Sequence, residues 1–230
     1  MSTSAPIKIL GIDPGSRLTG YGCVSVAGGK ISAVAHGTLR LAGTSGKQTV
    51  SLEDRLLSLF QGLTEVIQQT NPNVLVVEKI FFAKNALSAL KLGQARGVVV
   101  VCGALNSLEI VEYSPTEVKS AVVGHGGADK EQVARMVEII IGKQKFDTPD
   151  ASDALALAIC HAQRIPRGMA RASVREGDVE KSSNAAFALQ EWSRGRRSKK
   201  RLSLAESVGI SAAQAPAPRP KRRVDIPEKT

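Results

Sequence analysis

The chain has 230 residues, 43% of them hydrophobic, and a mean hydropathy of −0.04, so it can bury one sizeable core and carry an appendage. No uninterrupted apolar run nears the roughly 18 residues of a membrane span, and MSTSAPIK lacks the apolar stretch of a secretion signal. Three scattered cysteines, Cys23, Cys102 and Cys160, read as reduced core residues of a cytoplasmic protein and not as a disulfide or zinc framework, and a net charge of +10 points to a polyanionic partner.

In chain order, IKILGID (7–13), TGYGCVSVA (19–27) and KISAVAHGTLRL (30–41) read as three strands. The latter two join at Gly28-Gly29, a tight-hairpin signal. A polar Gly/Ser/Thr loop covers 42–50. Over 51–70 the spacing of Leu52, Leu56, Leu59, Phe60, Leu63, Val66 and Ile67 predicts a helix capped by Ser51 and stopped by Asn71-Pro72. NVLVVEK then begins a fourth strand. Residues 84–108 predict a long helix whose second half is apolar nearly all round, and such a helix needs a core or a partner. EIVEYSP is a fifth strand, helices follow at 115–123 and 129–142, and DASDALALAICHAQRI (150–165) is the last. Antiparallel strands followed by β/α alternation imply an α/β fold, a mixed five-stranded sheet with helices on both faces.

After residue 165 the composition turns to Arg, Ser, Gly, Ala and Pro, as in low-order sequence. Residues 164–230 hold 16 of the 31 Lys/Arg and only 7 of the 21 Asp/Glu. The expected organisation is therefore a near-neutral domain at 1–165 and a basic, largely disordered extension at 166–230. SRGRRSKKR and RPKRR are its charge clusters.

Four acids stand where structure alone does not want them. Asp13 ends the first strand and Glu78 the fourth, and in α/β sheets the carboxyl ends of neighbouring parallel strands are where ligands bind. Asp150 and Asp153 open the last helix three residues apart, on one helical face. Capping and the helix dipole account equally well for that last pair, an Asx turn for Asp13, and an ion pair with Lys79 for Glu78. Together, hard oxygen donors with no Cys/His cluster suit Mg²⁺ or Mn²⁺, and two such ions suit phosphodiester cleavage.

The order of elements and the placement of the acids resemble the ribonuclease H-like fold. GIDPGSRLTGYG, VVEKIFFAKNALSALKLGQARGV, EYSPTEVKSAVVGHGGADKEQV and DASDALALAICH resemble the RuvC family of crossover junction endodeoxyribonucleases, over residues 7–163. The resemblance implies a Mg²⁺-dependent homodimer, with two ions in each active site, that nicks a four-way DNA junction symmetrically and leaves 5′-phosphate ends. It places Asp13, Glu78, Asp150 and Asp153 on the family's acidic positions, the third of which is a histidine in some members. It implies basic roles at the active site for Lys119 and Lys130 and a base-unstacking wedge at Phe81. Phe82 beside it, and Lys84 and Asn85 at the start of the long helix, where amides and the dipole can hold a phosphate, are the further DNA contacts expected. A branch-migration motor is the further partner it implies, and no membrane. The extension at 166–230 goes beyond the family pattern.

Two other nucleic-acid readings stand beside this one: a ribonuclease H-like enzyme of RNA processing, and a junction-binding protein that does not cleave. The long motif around FFAKNALSALKLGQARG argues against the first and four intact acids against the second. An actin-like ATPase, suggested by GIDPGSRLTG, needs two domains that 163 ordered residues cannot supply.

Overall fold

A computed structural model describes residues 5–41, 50–79 and 86–165. Phe81, Phe82, Lys84 and Asn85 lie outside the described residues, as does the extension after Ile165. Ten elements follow in the expected order: β1 (Ile7–Asp13), β2 (Leu18–Ala27), β3 (Lys30–Arg40), α1 (Leu52–Thr70), β4 (Val74–Glu78), α2 (Ala86–Leu105), β5 (Glu109–Tyr113), α3 (Pro115–Val123), α4 (Lys130–Ile141) and α5 (Pro149–Arg164). The sheet runs β3-β2-β1-β4-β5, antiparallel across β3, β2 and β1 and parallel across β1, β4 and β5.

Local chemistry sets most boundaries. Gly28 and Gly29 both have positive φ, 58° and 81°, as a two-residue hairpin turn requires. Ser51 caps α1 through the Asp54 amide, and Ser114 and Asp129 form capping boxes with Glu117 and Gln132. Side chains alternate across the central strands, so each face of the sheet carries its own core. Leu10, Ile12, Leu75 and Val77 pack with Leu59, Leu63 and Val99 of α1 and α2. Ile9, Val24, Val74 and Val76 pack with Leu155, Ile159, Val133 and Val118 of α5, α4 and α3.

Residues 87–105 are apolar enough on average, at a mean hydropathy of 1.2, to match a membrane span by length and composition. Lys91, Gln94 and Arg96 interrupt that stretch, and Arg96 pairs with Glu112 of β5. This helix packs on the sheet through Ala95, Val99 and Cys102.

Helix α5 sits on a glycine stripe. A Cβ on Gly11 would lie 2.0 Å from the Ala154 carbonyl oxygen, and one on Gly20 would lie 2.0 Å from that of Asp150. Gly22 would meet the Leu155 backbone nitrogen at 2.7 Å. Backbone cannot yield as a flexible side chain does. Gly11→Ala is therefore expected to destabilise the protein by about 3 kcal/mol or more, measured by urea unfolding, and a cost below ~0.5 kcal/mol would show that α5 is not held so closely.

Candidate active site

The parallel pairing of β1 with β4 runs through Ile12 opposite Val77, so Asp13 and Glu78 are the next residues on adjacent strands. Both follow the parity of Ile9 and Val76, which puts them on the sheet face that carries α5. Asp13 also pairs with Gly20 across the β1–β2 ladder, and Gly20 is where the Asp150 backbone rests on the sheet. Asp153 lies one turn further on the same side of α5. The strand ends and the first turn of α5 thus bring all four predicted acids around one space.

The capping explanation for Asp150 does not hold. The N-cap of α5 is Thr148 with Pro149 next, and no side chain caps this end. Thr148 instead spends its hydroxyl on Thr38 of β3. Nor does Lys79 pair with Glu78: its ammonium lies 4.0 Å from Glu117 of α3. The Lys79 amide donates to the Tyr113 carbonyl at 2.8 Å, which fixes the backbone just after Glu78.

Lys130 opens α4 and its ammonium donates to Asp153 Oδ2 at 2.9 Å. Lys119, half-buried on α3, makes no hydrogen bond or ion pair with any of the four acids among the described residues. The two lysines are therefore not equivalent. His36 and His161 are spent on the fold: His36 bonds Gln144 and His161 bonds the Tyr113 hydroxyl. His125 is exposed in the α3–α4 loop.

Electrostatics mark this space out. Burial, then the charges of Glu78, Asp153 and Asp150, push the Asp13 carboxyl up to about 7, against a smaller opposing pull from Lys130. Burial and Asp153 also raise Glu78. Asp153, with Asp13 and Asp150, raises Lys130. Four acids against one partnered lysine leave an excess of negative charge, and the donors are all hard oxygens, which fits a divalent cation of the Mg²⁺ class. Among the described residues no three acid, His or Cys side chains close into a cage of their own.

Sequence reasoning missed the supports of the site. Thr19 closes the turn after Asp13, exchanging hydrogen bonds with the Gly15 amide (3.3 Å) and carbonyl (3.4 Å). Arg55 of α1 donates to the Ser16 carbonyl at 3.3 Å. The glycine spacing of two in TGYG was the available signal for the seat of α5.

The family model described as crossover junction endodeoxyribonuclease RuvC matches residues 9–161. The chain belongs to the RuvC family. The RuvC of Pseudomonas syringae pv. tomato is 49% identical over 173 residues, covering 96% of that protein and 74% of this chain. That of Dichelobacter nodosus is 46% identical over 179 residues, 98% of that protein and 78% of this chain. Among solved structures, Thermus thermophilus RuvC in complex with a Holliday junction substrate aligns with a TM-score of 0.62 at 33% identity, covering 94% of that chain and 69% of this one. The fold is thus ribonuclease H-like, as expected, and this RuvC-family chain is an endodeoxyribonuclease.

Proposed function

We propose that this RuvC-family chain resolves four-way DNA junctions in recombination and repair by paired, metal-dependent nicks, with Asp13, Glu78, Asp150 and Asp153 as the metal ligands. The observation that carries the site assignment is geometric: Asp13 and Glu78 end adjacent parallel strands, and the first turn of α5, with Asp150 and Asp153, is seated on Gly20 opposite Asp13. Bound there, Mg²⁺ or Mn²⁺ would supply Lewis acidity and an activated water for phosphodiester hydrolysis, and four carboxylates carry enough charge for two ions. Asp13 and Glu78 hold their oxygens on rigid strand ends, and α5 presents Asp150 and Asp153 from a helix clamped on glycines. Lys130 steadies Asp153 and brings a cation beside the position of the cut phosphate. Lys119, half-buried on α3, is assigned to the phosphate by the family resemblance alone.

Junction symmetry calls for two sites related by a two-fold axis, and an isologous dimer provides them. Helix α2 is the face for it. Leu87, Leu90 and Val101 are each more than half exposed, and an apolar groove of about 450 Å³ runs between Leu56, Phe60, Gly97, Val98 and Val101. Phe81 serves as the wedge at the junction centre, with Phe82, Lys84 and Asn85 beside it on DNA. The basic extension, 166–230, adds salt-sensitive DNA affinity. A branch-migration motor delivers the junction, and the enzyme works where its DNA lies, in the cytoplasm.

Product chemistry tests the reading. In Mg²⁺, a four-way junction labelled strand by strand is expected to give nicks in two opposite strands at symmetry-related positions. Both should be sealed by DNA ligase without further processing, because the ends are 5′-phosphate and 3′-hydroxyl. Unligatable ends, or cutting of RNA in place of the junction, would contradict the proposal.

A further inference from the structure

The edge strand β3 ends beside the acids, and the loop that leads into α5 lies along it. His36, Thr38 and Arg40 alternate, so they share the sheet face that carries α5. His36 Nε2 and Gln144 Oε1 are 3.2 Å apart, the Phe146 ring meets His36 edge-on with centroids 5.2 Å apart, and Thr38 bonds Thr148. Residues 144–148 therefore run alongside β3 from His36 to Thr38, towards Asp150, and the loop is fixed at three points. Its lysines, Lys143 and Lys145, point to no acid: both are exposed, and neither they nor Arg40 make an ion pair among the described residues. Asp147 is the one acid in the loop, which leaves the edge cationic.

We propose that Arg40, Lys143 and Lys145 form a phosphate-binding edge that grips the duplex arm running from the active site along β3. The inference rests on the resolvase reading above. From His36 to Arg40 the strand covers roughly 13 Å, about four nucleotide steps along a duplex strand at 3.4 Å each, so three cations meet two or three phosphates. Held on an ordered loop, they orient the arm with respect to Asp150 and Asp153, which plain charge in a flexible segment does not do. Contacts of this kind carry no base information and act equally on every sequence.

The test uses the full chain with the triple variant Arg40→Gln, Lys143→Gln, Lys145→Gln. Binding of a fluorescent four-way junction is followed between about 50 and 200 mM salt, where each phosphate contact contributes about −0.9 to the slope of log K against log salt. The expected result is a slope shallower by about 2 and affinity lower by at least about tenfold. Charge-conserving replacement (Arg40→Lys, Lys143→Arg, Lys145→Arg) keeps the slope. Lys30→Gln, at the far end of β3, leaves it unchanged. An unaltered slope in the triple variant overturns the proposal, as does equal loss in the charge-conserving variant. Failure of the wild-type protein to bind or nick the junction would instead remove the resolvase reading itself.

Discussion

Asp13→Asn is expected to abolish junction cleavage, by about a thousandfold or more, while making the metal-free protein more stable above pH 7. Loss of activity follows from removing a ligand whose metal chemistry is worth several kcal/mol, near 1.4 kcal/mol for each tenfold. The gain in stability follows from the carboxyl's own titration. Its folded value, about 7, lies above the 3.8 of an ordinary Asp, so the folded chain holds a proton that the unfolded chain has lost. Stability from this group is full below pH ~4, falls as pH rises to about 7 and stays low beyond, a loss of at most about 4 kcal/mol. Glu78 is raised too and adds in the same direction. Thermal melts in EDTA should therefore show the wild-type protein weakening from pH 5 to pH 8. The Asp13→Asn variant loses most of that slope, and Mg²⁺ restores wild type at pH 8 by neutralising the acids. A variant that is both inactive and less stable at pH 8 would make Asp13 a structural residue.

Val101→Asp is expected to convert a dimer into a monomer and to reduce paired nicking by more than about a hundredfold. A two-fold interface repeats every residue, so two carboxylates would be desolvated in one apolar groove, each at a cost of several kcal/mol. The substitution lies on an exposed face of α2, away from Ala95, Val99 and Cys102, which face the core, so the fold survives. Light scattering reads the mass and strand-specific labels read the nicks. A dimer that persists in the Val101→Asp variant would move the interface elsewhere.

Most of the fold was legible because its signals are local. Asn71-Pro72, Gly28-Gly29 and the cap Ser51 mark chain direction within a few residues, and β1, β4, α1 and α3 follow the predicted bounds closely. The long helix ends earlier than its apolar pattern suggests: it stops at Leu105, and Ser107, with φ of 54°, turns the chain before β5. The four acids were legible as a group because charged residues at the ends of apolar runs are costly without a partner. Their supports were not. The Thr38–Thr148 contact joins residues 110 apart, and Lys130 reaches Asp153 across 23. Such pairings depend on how α4 and α5 dock on the sheet, which no local pattern encodes. The same reason hid the difference between Lys119 and Lys130, two similar helix lysines of which one meets the acids.

The most direct measurement is cleavage of a labelled synthetic four-way junction beside a linear duplex of the same sequence, each in Mg²⁺ and in EDTA. The account predicts paired nicks on the junction, none on the duplex, and none on either in EDTA. Cutting of the duplex at a similar rate, cleavage that survives EDTA, or tight junction binding with no nicks in Mg²⁺ would contradict it.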